Sequence, residues 1–233
     1  MQNSWRTFEV GAVAPRLVWS LGARVRLVTT RISSVIGRFQ HLYAVILHGV
    51  INDSVPWREQ LLAVARSLEK RKVQRRWTDR TSFLVERDIM TSAYAVRKLD
   101  ESRKVSDRLA ARQWSVVEYK VIGRPPDLWG RFEPWEYYDL KAGASISRDM
   151  RQLCNQIIHS WVWMISATEG DDFDGIFVSS DRQRRKSLYF IHVDVLISIF
   201  REVGHEDIFE IELSRDDAGD IQYLSIKGCS TED

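Results

Sequence analysis

From Ser82 to Arg112 the chain contains neither glycine nor proline. Nothing in that stretch interrupts a helix. Phe83, Leu84, Ile89, Ala93, Val96, Leu99, Val105 and Leu109 recur at the spacing of one helix face. Glu86, Arg87, Asp88, Arg97, Lys98, Asp100 and Glu101 fill the other side. The spacing predicts one long rod over 82–112. A rod of that length constrains every architecture open to a chain of 233 residues.

A second helix is predicted just upstream, over 56–74. Asp53 and Ser54 supply capping side chains and Pro56 sits in the first turn. At Trp114 the period changes. Val117, Tyr119 and Val121 alternate with Glu118 and Lys120, which predicts a strand over 115–122. Gly123 and Pro125-Pro126 end it. The loop 123–144 carries Trp129, Phe132, Trp135, Tyr137 and Tyr138, too many rings for a solvated linker. It is expected to pack down on the helices. A third helix is predicted over 146–168.

Residues 171–233 read as a small α+β unit. Ile176–Val178 and Leu188–Ile191 are short strands around the charged turn DRQRRK. His192–Val203 is an amphipathic helix stopped by Gly204. Strands at 209–213 and 221–226 form a hairpin around 216–220, and the strand at 115–122 is a candidate to join this sheet. The expected organisation is a basic arm over 1–52, a helical bundle over 53–170 and the C-terminal unit over 171–233. The expected fold class is α+β, mainly α: a helical bundle followed by a small, mostly antiparallel sheet with one helix.

Composition narrows function mainly by exclusion. Hydrophobic residues make up 44% and charged residues 28% of the chain, as in ordinary globular proteins. A formal net charge of +2 does not by itself imply nucleic-acid binding. The charge is segregated, however. Residues 1–50 carry six arginines against one acid, Glu9, whereas acids outnumber bases beyond Asp171. The arginine-rich start faintly resembles a transit peptide and is read as a weakly ordered leader or accessory element. The longest apolar run, Leu42–Ile51, is too short to span a bilayer. Cys154 and Cys229 give no disulfide framework and no zinc spacing. Both are read as reduced thiols in a cytoplasmic protein. No P-loop, dinucleotide-binding glycine pattern or nucleophile elbow is present. No cofactor or metal is expected, since the acids at 171–174 and 216–220 sit at turns. His192 and His205 flank a helix and are read as structural, and His41 and His48 lack carboxylate or cysteine partners at metal-ligand spacing.

The stretch Arg148–Trp163 holds the candidate chemistry. On a helix, Met150, Leu153, Ile157, Trp161 and Met164 form an apolar stripe. Arg148, Arg151, Gln152, Asn155 and His159 fall opposite. Asn155 and His159 stand one turn apart, with Arg151 one turn further back. Arg148 would lie roughly 16 Å from His159 along the axis. A row of arginine, amide and imidazole suits phosphate-directed chemistry. Arg148, together with Arg75 and Arg76 of the basic segment 71–80, is the candidate nucleic-acid contact. Val162 and Trp163 would continue the polar face with apolar groups, as at a covered cleft or a subunit interface.

At LCNQIIHS (153–160) the sequence resembles the HEPN superfamily, over roughly residues 56–168. These helical bundles occur in toxin–antitoxin, anti-phage and CRISPR ribonucleases, and as non-catalytic scaffold modules. Asn155 and His159 match the family's Asn-x-x-x-His element. Cys154 stands where catalytic members carry arginine, and Arg151 precedes His159 by more than the family spacing. The resemblance implies metal-independent RNA cleavage, with His159 carrying the proton and Arg151 steadying the charge, at a site built between two bundles of a homodimer. Two readings follow. In one the protein binds or cleaves RNA in a bacterial defence or toxin-type setting. In the other it is a non-catalytic interaction or dimerisation module using the 148–163 helix face.

Overall fold

The computed structural model describes residues 6–7, 16–19, 24–28, 51, 53–168, 172–215 and 221–230. The chain divides into two compact units. One comprises Met1–Asn52, Leu99–Ala110 and His205–Asp233, and the other comprises Asp53–Lys98 and Ala111–Gly204. Among the described residues each holds one five-stranded sheet, antiparallel at every pair.

In the first unit the strands are β1 (Arg6–Thr7), β2 (Arg16–Trp19), β3 (Arg24–Val28), β9 (Glu206–Arg215) and β10 (Ile221–Ser230), in that spatial order. The expected C-terminal hairpin is therefore β9–β10, and β3 of the basic arm adds to its edge. Most of the arm, His41, His48 and the turn 216–220 lie outside the described residues. Ile211, Leu213 and Ile226 are buried on this sheet. The short helix α3 (Asp107–Ala110) is tied to it, because Ile226 N–H donates to Asp107 Oδ2 at 2.8 Å.

Among the described residues the second unit carries four α-helices: α1 (Val55–Lys72), α2 (Asp79–Glu101, up to Lys98), α4 (Met150–Ile158) and α5 (Val193–His205, up to Gly204). Helix α1 matches its prediction. Val55 N–H donates to Asp53 Oδ1 at 2.9 Å, and Leu61, Val64, Ala65 and Leu68 are buried. Helix α2 is shorter than the predicted rod. Arg103 turns into the left-handed region at φ 58°, and Ser106 Oγ accepts Leu109 N–H at 3.2 Å to start α3. A buried serine cap outcompetes continuation of the helix.

The sheet of this unit runs β5 (Ala144–Asp149), β4 (Gln113–Lys120), β8 (Ser187–His192), β7 (Phe173–Ser180), β6 (Ser160–Ala167). By register, Trp114 and Val116 share one face with Tyr189, Ile191, Ile176 and Val178, and all six are buried. Helices α1 and α4 both pack against β7. On the other face Tyr138 covers Val162 and Leu188. Strand β4 does join the later strands, through β8.

The expected helical bundle followed by a small sheet is overturned. Strands carry about as many residues as helices, and the main sheet is threaded through the span assigned to the bundle. The largest single error is the helix over 146–168, which is a nine-residue helix between two strands. Asp149 and Gln152 form a capping box that starts α4 at Met150. Beyond it, Trp161, Val162, Trp163 and Ile165 are β-branched or aromatic and favour the pleated surface of β6.

Candidate functional site

Helix α4 begins where Asp149 Oδ1 accepts Gln152 N–H at 2.7 Å and ends at His159, whose N–H donates to the Asn155 carbonyl at 3.1 Å. Met150, Leu153, Cys154 and Ile157 are buried, which turns residues 151, 155 and 159 outward. Arg151 and His159 are exposed and Asn155 is half-buried. These three thus keep their predicted one-turn spacing. Arg148 leaves the row. It lies on β5 opposite Trp114, with its guanidinium 5.6 Å from the Tyr189 ring centroid and 3.3 Å from the Tyr189 hydroxyl. Gln152 is used by the cap.

Cys154 is 2% exposed, among the apolar side chains of α4. An arginine there would be driven into the core, so this position cannot offer a cation to a surface ligand. A cation arrives from elsewhere: Arg97 of α2 donates through Nη1 to Asn155 Oδ1. In the sequence Arg97 is one of several charges on the polar side of its helix. No local pattern links it to Asn155, which is 58 residues away.

Past His159 the surface continues into groups that the sequence did not join. The His159 carbonyl accepts Asp181 N–H at 3.3 Å, and Asp181 pairs with Arg184 at 2.8 Å. Arg184 stacks on Trp161 at 4.6 Å. Arg131 stands 5.9 Å from the same ring and 4.6 Å from Phe132. Arg184 also donates to the Pro126 carbonyl, and its own carbonyl accepts the Tyr138 hydroxyl at 3.0 Å. Burial pushes the Tyr138 phenol up to about 12. The aromatic loop therefore packs on the sheet rather than on the helices, and only in part. Tyr138 is buried, whereas Trp129, Phe132 and Trp135 remain exposed. Asp127 shapes the exposed part by accepting N–H groups from Gly130 and Trp129. Those bonds, Gly130's first, hold its carboxyl below the usual range.

Other candidate groups lie on other elements. Val162 and Trp163 do not extend a helix face. They lie on β6, and Val162 is buried beneath Tyr138. Arg75 and Arg76 are exposed in the link between α1 and α2, while Trp77 packs on Phe173 at 5.6 Å. Glu118 is a buried carboxylate on β4, bonded by Lys120 Nζ at 2.5 Å and Ser187 Oγ at 2.7 Å. Burial raises its pKa, but these bonds and the nearby Arg148 outweigh that and leave it lowered. His192 Nδ1 lies 3.1 Å from Asp174 Oδ1. Among the described residues no cluster of His, Cys, Asp and Glu could hold a metal, and no helix is long and apolar enough to cross a membrane. Neither cysteine forms a disulfide. Comparison with protein-family models, with curated proteins and with solved structures finds no match.

Proposed function

We propose that the protein binds RNA through phosphate contacts along α4, made by Arg151, Asn155 and His159. The observation that carries this reading is the bond from Arg97 to Asn155 Oδ1. It fixes the side-chain amide so that Nδ2, a donor, is turned away from the guanidinium. Arg151 and His159 are exposed one turn to either side of that donor. Donors in line on a rigid helix suit the oxygens of a phosphate backbone. Binding rather than turnover is the activity the row supports. It has one imidazole, and the adjoining carboxylates Asp149 and Asp181 are committed to a helix cap and to Arg184.

The test is fluorescence anisotropy with a labelled RNA of about 12 nucleotides, a length within the reach of one small domain. Asn155→Ala and His159→Ala should each weaken binding by about tenfold, equivalent to ~1.4 kcal/mol. Arg151→Ala should weaken it and also flatten the salt dependence by a little under one unit of slope. Wild-type affinity in all three variants refutes the site. Metal-free cleavage products lost in His159→Ala would refute the restriction to binding.

A further inference from the structure

The loop between β4 and β5 exposes more aromatic surface than a solvated turn needs. Trp129 is 80% exposed, Phe132 61% and Trp135 52%. Beside them runs the turn 181–186, in which Arg182, Arg185 and Lys186 are exposed. The two segments are stitched together by Arg184 to the Pro126 carbonyl, by the Tyr138 hydroxyl to the Arg184 carbonyl and by Val121 N–H to the Lys186 carbonyl. They adjoin the α4 row, because Asp181 N–H donates to the His159 carbonyl.

We propose that this loop and turn form a base-stacking platform for single-stranded RNA, continuing the track that starts at His159; the proposal rests on the RNA-binding reading of α4. Rings held out from a rigid sheet offer faces to unpaired bases, and cations between them meet the phosphates. The site already stacks planar cations on rings, with Arg184 on Trp161 and Arg131 against Phe132. A duplex keeps its base faces internal and cannot use these rings. A lipid surface fits less well. Asp127, Glu133 and Glu136 are exposed within three residues of these rings along the same loop, and insertion would carry those carboxylates into the headgroup layer.

The experiment measures anisotropy of one labelled strand, alone and annealed to its complement, with the full chain. The variants are Trp129→Ala, Phe132→Ala and the double change Arg182→Gln with Arg185→Gln. All four positions are at least half solvent-facing or on the exposed turn, and unchanged melting curves confirm folding. The single strand should bind at least about tenfold more tightly than the duplex. Each ring removal should weaken single-strand binding by about 5- to 150-fold and leave duplex binding unchanged. The double arginine variant should flatten the salt dependence. Single-strand binding that responds to Arg151→Ala and His159→Ala but not to ring removal overturns this proposal and leaves the α4 reading standing. Absence of any RNA binding overturns the α4 reading and this proposal with it. Trp129-dependent binding to phosphatidylserine vesicles without RNA binding overturns it in favour of lipid. A dimer lost in Phe132→Ala without RNA binding overturns it in favour of a second copy of the chain.

Discussion

Replacing Glu118 tests whether its bonds hold the main sheet together. The residue is 7% exposed, and the serine hydroxyl that donates to it, on Ser187, is fully buried. A hydrogen bond to a charged group contributes about 1.5–3 kcal/mol. The ion pair to Lys120 adds only about 0–1 kcal/mol, since the lysine side chain is 68% exposed. Glu118→Leu strands the buried hydroxyl proton of Ser187, although Ser187 Oγ still accepts from Gln183 Nε2 at 2.7 Å. The expected loss is about 2 kcal/mol. Glu118→Gln keeps an acceptor without the charge and should lose about 1 kcal/mol. The effect depends on pH in a definite sense. The folded carboxyl titrates below its ordinary value of 4.5. Its contribution is therefore present above that value and is lost as pH falls through the lower, folded one. Urea unfolding followed by tryptophan fluorescence reports on the right unit, because seven of the nine tryptophans lie in Asp53–Lys98 and Ala111–Gly204. The gap between wild type and Glu118→Leu should be full near about pH 7 and narrow below about pH 4. A Leu variant as stable as wild type, or a gap that does not change with pH, refutes the reasoning.

Gly175→Ala would set a methyl group 2.4 Å from the Ile191 carbonyl oxygen and 3.0 Å from the Phe190 ring. The first contact is backbone and cannot rotate away, so a loss at or above the usual ~1–3 kcal/mol of overpacking is expected, seen as a lowered melting temperature. Tyr138→Phe removes the bond to the Arg184 carbonyl and should cost about 1 kcal/mol by the same urea assay. Because folding raises that phenol from 10.0 to about 12, its contribution is complete below the unfolded value. It is lost as pH climbs through the folded one, and an ultraviolet titration that shows no late-ionising tyrosine in the wild type refutes this.

What the sequence made legible follows from how local each determinant is. Helix α1 was readable because its cap, its proline and its apolar side chains all lie within one continuous stretch. Strands β7 and β8, helix α5 and the β9–β10 hairpin were readable for the same reason. The region around α4 misled because Met150, Leu153, Ile157, Trp161 and Met164 keep helical spacing across a change of structure. Strand β6 follows almost at once after the helix, and its pairing with β7 shifts register between Ser160 and Val162. The aromatic and β-branched run at 161–165 is the local signal for the strand, and it overlaps a helical period that continues through it. Within the candidate site, the spacing of Arg151, Asn155 and His159 was local and survived. The contribution of Arg97, and the joining of turn 181–186 to the aromatic loop, depend on pairings between distant segments that no window of sequence contains.

The sheet order β5-β4-β8-β7-β6 also sets a schedule for synthesis. As the chain leaves the ribosome, β4 and β5 can pair as one hairpin and β6 and β7 as another, with α4 between them. The two hairpins meet only through β8, the last of the five strands to be made, whose residues Ser187–Ile191 are all buried. Until it emerges, β4 and β7 each present an unpaired inner edge, and neither hairpin has the neighbour that completes its ladder. The halves thus remain uncommitted to one another until a single short strand, complementary to both, closes the gap late in translation. A nascent chain halted before Ser187 would carry two adhesive edges and no means of covering them.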